Sequence, residues 1–438
     1  MLRKRLPLAV LLLAALAAPA LAFEAVESGP LYWRFSGYVK SFTSLTQAGD
    51  LYRQYDLTAR ETFWDNRSRI RLRSQLSLAD VFEFVVHYEA VNQYGDTPRL
   101  RAIATRRFGG SPFTAPIVNS LFPNIRAPQL FGLDHQIYDN DEDLLAHRLD
   151  RLYGRFHAGP WDITLGRATL TWGPGRIWNP TDYLAAFSPT EIDKEEKPGV
   201  DLAQARVALA DGVSLEGFGA PVRQGESGVD GRHSAAAGRL NVTALQADWG
   251  LSGGWLYDRS TLGFDVDASI GGAGVRGAIT RSVVEGVPGE VFYRAIINAD
   301  YGFPWRWNPY LAGEYYYNGL GETNPKKYLE LAQRPALARA FPRGEVRNYG
   351  VHYLGVVATL QPHPLVTLSE TAIVNLLDGS AVNIFLATWA ALQNLDLQLG
   401  AQNTFGPVPS EFGGLTNPLT GKDIAAPDSY FAYVKFYF

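Results

Sequence analysis

Arg67, Arg69, Arg71 and Arg73 recur at every second position within residues 66–78, while Ile70, Leu72, Leu76 and Leu78 occupy the alternate positions. A spacing of two puts all four guanidinium groups on one face of an extended strand, and no helix does so. Arginine keeps its charge and offers a planar fork that matches carboxylate and phosphate. The next segment alternates Phe82, Phe84, Val86, Tyr88 and Ala90 with Glu83, His87 and Glu89. Apolar faces match across the pair only when the turn is Ala79-Asp80-Val81, which sets Arg71 opposite Glu89 and Arg73 opposite His87. Turned toward hydrocarbon, each arginine would cost roughly 2–4 kcal/mol, about 8–16 kcal/mol for four. They are therefore expected to face water. Arg151 and Arg155, farther along the chain, would extend the row. One reading is a salt-bridge network with Glu83 and Glu89 inside a wall; the other is a positive strip that concentrates anions along a water-filled pore. Both can hold at once.

Other polar clusters carry less chemistry. Asp139, Asn140, Asp141, Glu142 and Asp143 are oxygen ligands suited to a hard cation, yet they lack the spacing of a calcium loop and read as a solvated loop tip. Residues 324–341 read as a short helix broken at Pro335, inside a loop. The seven histidines are scattered, and no His-Glu-x-x-His motif occurs. Enzymatic chemistry, a cofactor and a resident metal are not expected. Cysteine is absent, which excludes disulfides, zinc-thiolate sites and haem attachment by this chain. A net charge of -4 argues against nucleic acid as a partner.

The elements that must position these residues are strands. Period-two segments recur from Trp33–Thr46 through Asn66–Leu78, Phe82–Ala90, Leu145–Ala158, Trp161–Trp172, Leu202–Ala210, Val213–Arg223 and His233–Trp249. They continue through Leu251–Asp258, Leu262–Ile270, Ala273–Val283, Val291–Tyr301, Trp307–Asn318, Val346–Gln361, Leu365–Leu376, Ala381–Leu392, Leu395–Thr404 and Asp428–Phe438. That makes about eighteen strands, or sixteen if one hairpin is miscounted, each near the length that crosses a tilted bilayer. Connections after even strands are short (Gly159-Pro160, Asp211-Gly212, Gly271-Gly272), whereas the long ones follow odd strands. Short turns at one end and long loops at the other are the pattern of a transmembrane antiparallel β-barrel. Arg3, Lys4 and Arg5 precede an apolar run ending in Ala20-Leu21-Ala22, so residues 1–22 read as a cleaved signal peptide and 23–438 as a single barrel domain. Mean hydropathy is -0.10 and aromatic content 13%, with 10 Trp and 22 Tyr, which suits aromatic girdles at a membrane interface. Glu370 stands out: it falls on the apolar face of its strand, with Leu368, Ala372 and Val374, and reads as a local bulge or a subunit contact.

The final strand resembles the closing strand of Gram-negative outer-membrane barrels, with Tyr430, Phe436 and Phe438 on one face. That resemblance implies contact with outer-membrane lipid and a signal read by the barrel-insertion machinery. The stretch from Trp172 to Asp201 is punctuated by Gly and Pro, so it is a defined loop. Gly166-Arg167 running into Trp172-Gly173 and Asn179-Pro180-Thr181-Asp182 resembles porin-like barrels, including those similar to alginate-export and other substrate channels. In porins the third external loop folds inward. The resemblance therefore implies that Arg176, Trp178, Asn179, Asp182, Glu191, Asp193, Lys194, Glu195 and Lys197 form a constriction loop. The function so implied is passive diffusion of small hydrophilic, mainly anionic, solutes across the outer membrane. Two alternatives stand beside it: a sheath housing a periplasmic partner such as an electron-transfer cytochrome, and an outer-membrane enzyme. A solute channel narrows through its own loop, while a sheath keeps a wide bore.

Overall fold

The computed structural model describes residues 26–438 apart from 111–121, 123–128, 194, 224–227, 288, 338–339, 341–342, 344, 346 and 418–420. The segment read as a signal peptide, and Lys194, lie outside the described residues. Eighteen antiparallel strands form one closed wall. In chain order they are β1 (Leu31–Gln47), β2 (Thr62–Leu78), β3 (Phe82–Gly95), β4 (Asp143–Ala158), β5 (Trp161–Ala168) and β6 (Val200–Ala210). The middle third comprises β7 (Val213–Ala220), β8 (Ala235–Ala244), β9 (Ala247–Leu256), β10 (Arg259–Ile270), β11 (Ala273–Val284) and β12 (Val291–Gly302). The last are β13 (Tyr310–Asn318), β14 (His352–His363), β15 (Val366–Asn375), β16 (Ala381–Leu392), β17 (Leu395–Phe405) and β18 (Asp428–Tyr437).

Each strand pairs with its sequence neighbours, and β18 pairs with β1 from Tyr38↔Tyr437 to Gln47↔Asp428, which leaves no free edge. No helix among the described residues is long and apolar enough to cross a membrane. The wall crosses with strands. Outward positions carry Trp33, Phe84, Leu165, Leu251, Leu262, Ile297 and Trp389, all exposed on the lipid side. Burying such a band in hydrocarbon satisfies those side chains, while the closed ladder satisfies the backbone.

The expected register of the arginine hairpin holds: Arg71 pairs with Glu89 and Arg73 with His87 across β2 and β3. Loop parity holds too. The connections spanning 48–61, 96–142, 169–199, 319–351 and 406–427 all follow odd strands. Several boundaries differ from the sequence reading; β13 begins at Tyr310 rather than Trp307 and β14 at His352 rather than Val346. The segment His233–Trp249 is not one strand, because the chain turns at Leu245 and Gln246, with φ of 58 and 61. This two-residue turn needs left-handed backbone at both positions and has no Gly or Asn to announce it. β5 stops at Ala168 rather than Trp172, where the chain leaves the wall for the lumen. β7 stops at Ala220 rather than Arg223.

Among the loops, residues 96–108 form an α-helix whose Arg101 and Arg106 pair with Asp139 and Asp141 at 2.7 Å. The acidic run thus meets arginine rather than standing free in solvent. Residues 325–333 form a 3-10 helix capped by Asn324, as the loop helix was expected to be placed.

Candidate functional site: the lumen and the loop that crosses it

Alternation decides which groups enter the lumen. Arg67, Arg69, Arg71 and Arg73 share the inward face of β2, Lys40 stands beside them on β1, and Lys435 on β18. The third loop, residues 169–199, enters the barrel and meets this basic wall with its acidic tip. Lys40 Nζ contacts Asp193 at 2.6 Å and Glu195 at 2.8 Å, and Lys435 reaches Glu195 at 3.2 Å. Arg69 pairs with Asp193 at 3.2 Å, and Arg73 with Glu196. Arg71 is fully buried, held by Glu89 at 2.9 Å and Asp150 at 2.5 Å. Burial works against the Asp193 carboxylate, but Arg69 and Lys40 hold it below the usual range.

The row of arginines is therefore not a uniform positive strip. Three of its four members are neutralised, chiefly by loop carboxylates far away in sequence. Of the partners expected from the sequence, Glu89 takes its place in the network. Glu83 instead pairs with Arg155, at 3.2 Å, lower on the wall. Arg151 binds Asp150 at 2.5 Å and the Lys197 carbonyl at 2.6 Å, so it clamps the loop's return. Arg67 stays exposed to the lumen with no carboxylate partner among the described residues.

At its other end the loop is pinned to the opposite wall. Glu314 on β13 is 1% exposed and accepts the backbone N–H groups of Arg176 (2.8 Å), Ile177 (3.1 Å) and Trp178 (2.6 Å). The Asn298 amide donates to it as well, at 2.9 Å. The Trp178 ring stacks on Tyr316 at 5.2 Å and lies 5.8 Å from Tyr353, while its indole N–H donates to Asn348 at 2.9 Å. Asn179 donates to the carbonyls of Trp172 and Gly173, closing the turn. Gly173, at φ +81, is required there, because a Cβ would overlap the Thr181 hydroxyl. Lys197 and Asp182 form a buried pair at 2.5 Å. Burial pushes the Asp182 carboxyl up to about 6 against the opposing pull of Lys197, and burial also lowers the Lys197 ammonium.

Several residues expected to line a constriction thus do something else. Trp178, Asn179, Asp182 and Lys197 are the loop's own scaffold, buried because the loop needs a core to hold its shape inside a wet lumen. Arg176 lies 3.5 Å from Asp300 on the wall. Glu191 lines open space; Asp193 and Glu195 are the tip. Gly166-Arg167 also has a role the sequence did not disclose. Arg167 binds Asp201 at 2.8 Å, and Asp201 accepts the N–H groups of Leu130 and Phe131, anchoring the second loop's return. Lys40, Asp150, Glu196, Glu314 and Lys435 escaped sequence reasoning. Glu314 alone left a signal, a carboxylate at the inward position of an aromatic strand.

Two of the cavities beside the loop touch Pro198. One, of about 420 Å³, is lined by Arg259, Arg294, Arg343 and Arg347 with Asp182, Glu191 and Glu345, and by Tyr183, Phe187 and Tyr257. The other, of about 370 Å³, carries Arg67, Arg69, Arg148 and Arg167 against Glu89, Asp134 and Asp150. In the first, Arg294 and Arg347 make only single contacts to the carbonyls of Pro180 (3.4 Å) and Ala186 (3.2 Å), and each keeps a buried, unpartnered Nε. No group of residues among those described is arranged to hold a metal ion.

No protein-family model matches the chain, and no curated protein matches it by sequence. Solved structures do match by shape. A BenF-like porin from Pseudomonas fluorescens Pf-5 aligns with TM-score 0.51 and 10% identity, over 93% of this chain and 98% of that one. Pseudomonas aeruginosa OccK5 (OpdH) gives 0.51 and 9% over 93% and 98%. Acinetobacter baumannii OccAB3 gives 0.50 and 10% over 93% and 99%. At such identity the likeness speaks for the fold: the chain is an eighteen-stranded β-barrel of the outer-membrane type that these proteins share.

Proposed function

We propose that the barrel is a passive channel for small hydrophilic solutes and favours organic anions that carry a carboxylate. The observation that carries this reading is the set of arginines left without a carboxylate partner among the described residues: Arg67 in one cavity, Arg294 and Arg347 in the other. Each cavity is lined by four guanidinium groups against three carboxylates. In a low-dielectric wall such an excess raises the local concentration of anions. Guanidinium forks supply geometry as well as charge. The inward loop supports a channel over a sheath, because it occupies the bore that a housed partner would need. Selection would rest on radius and charge placement rather than on bond-making. The lipid-exposed outer band fits an outer-membrane setting, and the aromatic face of β18 would serve recognition by the insertion machinery.

The test is reversal potential and single-channel conductance of the purified barrel in planar bilayers, with Arg67, Arg294 and Arg347 replaced by Gln together. Anion preference that falls toward unity in the variant is the expected result. A well-folded barrel that conducts nothing, or one that prefers cations, overturns the reading.

A further inference from the structure

The outer face of β9–β12 carries a single charge. Ser252, Thr261, Thr280, Ser282 and Asn298 are buried on the lumen side. Alternation and register therefore turn Trp255 on β9, Ser260 and Leu262 on β10, Ile279 and Arg281 on β11, and Tyr293 on β12 toward lipid. Leu262, directly beside Arg281, is 61% exposed, which marks this as the lipid side. No other Asp, Glu, Lys or Arg takes an outward position on these four strands. The Arg281 guanidinium is exposed and has no hydrogen-bond or carboxylate partner among the described residues.

Its height explains how a lipid-facing wall tolerates it. A guanidinium is costly at the middle of the hydrocarbon and nearly free at either interface. Arg281 stands nine positions beyond Gly272, in the short turn before β11. At about 3.3 Å per residue and a strand tilt of about 40°, that is about 23 Å along the membrane normal, the far edge of an apolar band about 25 Å tall. Trp255 and Tyr293 flank it close to that level, as an interfacial aromatic belt does. The long loops gather at this end of the barrel, which faces the external leaflet. Tyr293 lies directly opposite Arg281, and Ser260 one diagonal step away. Neither hydroxyl is bonded to a described residue. Toward the membrane centre, Leu251, Phe264, Ile279 and Ile297 continue the same face as an exposed apolar wall.

We propose that this patch binds the phosphate group of a lipid in the external leaflet. The Arg281 fork takes two phosphate oxygens, and the Tyr293 and Ser260 hydroxyls donate to the same group. The acyl chains lie on the apolar wall beneath. The occupant is a lipid because the order of chemistry on the wall, donors at the interface and hydrocarbon toward the centre, is the order of chemistry along a phosphorylated lipid. A free phosphate ion would use the donors and leave the apolar wall without a role. The charge balance points the same way: the outward face of these strands offers Arg281 no carboxylate, so its counter-charge must come from the membrane.

The test is native mass spectrometry of the purified barrel in detergent, titrated with lipid A that carries two phosphates or with the same lipid stripped of both. The parent should hold the phosphorylated form at least about tenfold more tightly, the effect of one charge-assisted contact. Arg281→Gln should abolish that difference. Arg281→Lys should keep part of it, because an ammonium retains the charge and lacks the fork. Both variants should keep the parent's heat-modifiable migration, since the guanidinium supports nothing within the chain. Equal binding of the two lipids by the parent, or a preference that survives Arg281→Gln in a folded barrel, overturns the proposal. Displacement of the lipid by millimolar inorganic phosphate would assign the site to the free ion and overturn it as well. Conductance plays no part in these readouts, so their failure is separate from failure of the channel reading.

Discussion

Replacing Glu314 with Gln should free the third loop without disturbing the wall. One carboxylate oxygen takes the Ile177 and Trp178 N–H groups, and the other takes the Arg176 N–H and the Asn298 amide. An amide can keep only the two bonds made to its oxygen; its NH2 then faces two donors. Hydrogen bonds to a charged acceptor contribute about 1.5–3 kcal/mol each, so the substitution removes about 3–6 kcal/mol from this attachment. The stacking of Trp178 on Tyr316 remains and is worth about 0.5–1.5 kcal/mol beyond its burial. The loop should then exchange between a pinned and a released position rather than leave the lumen. In single-channel recordings this reads as a higher mean conductance that flickers between two levels. Glu314→Ala, which leaves four buried donors unpaired, should flicker more. A folded Glu314→Gln barrel with the conductance and open-channel noise of the parent would refute the assignment of Glu314 as the loop's anchor.

Other expectations follow from the same network. Arg71→Met removes one cation from Glu89 and Asp150, which keep Arg148 and Arg151, and should destabilise the barrel by less than the about 3–5 kcal/mol of an orphaned buried charge, measured as a lower urea midpoint of unfolding. Arg67→Gln, which breaks no ion pair among the described residues, should leave that midpoint unchanged and lower anion selectivity. Glu195 bridges Lys40 and Lys435 across the seam between first and last strands, so Glu195→Gln should lower the temperature at which the barrel opens, read by heat-modifiable migration. The folded Asp182 carboxyl, raised to about 6, is ionised only above that pH. Between about 4 and 6 the folded state takes up a proton that the unfolded chain has already released, so this group's contribution to stability falls as pH rises through that window. Protonation below about 6 leaves the Lys197 charge uncompensated, and anion preference should grow as pH drops from 7 to 5. Asp182→Asn should remove this dependence in reversal-potential measurements.

Period-two alternation carried most of the architecture, because a strand buried on one side and wet on the other writes its geometry into neighbouring residues. The Arg67–Arg73 row, its register against Glu89, and the sorting of long loops to one end were legible for that reason. The turn at Leu245-Gln246 was not: closure of the ladder imposes left-handed backbone there, and neither residue type signals it. The third loop was legible as ordered, from its Gly and Pro, but the residues it touches were not. Asp193, Glu195 and Glu196 meet Lys40, Arg69, Arg73 and Lys435 only once the wall has curved on itself. Glu314 meets the Trp178 backbone across the bore, 136 positions along the chain. Local pattern therefore determined the wall and which side of it each charge would face. Only the closed barrel decided which charges cancel and which arginines are left without a carboxylate partner among the described residues, because ion pairing depends on distances in space that no local period encodes.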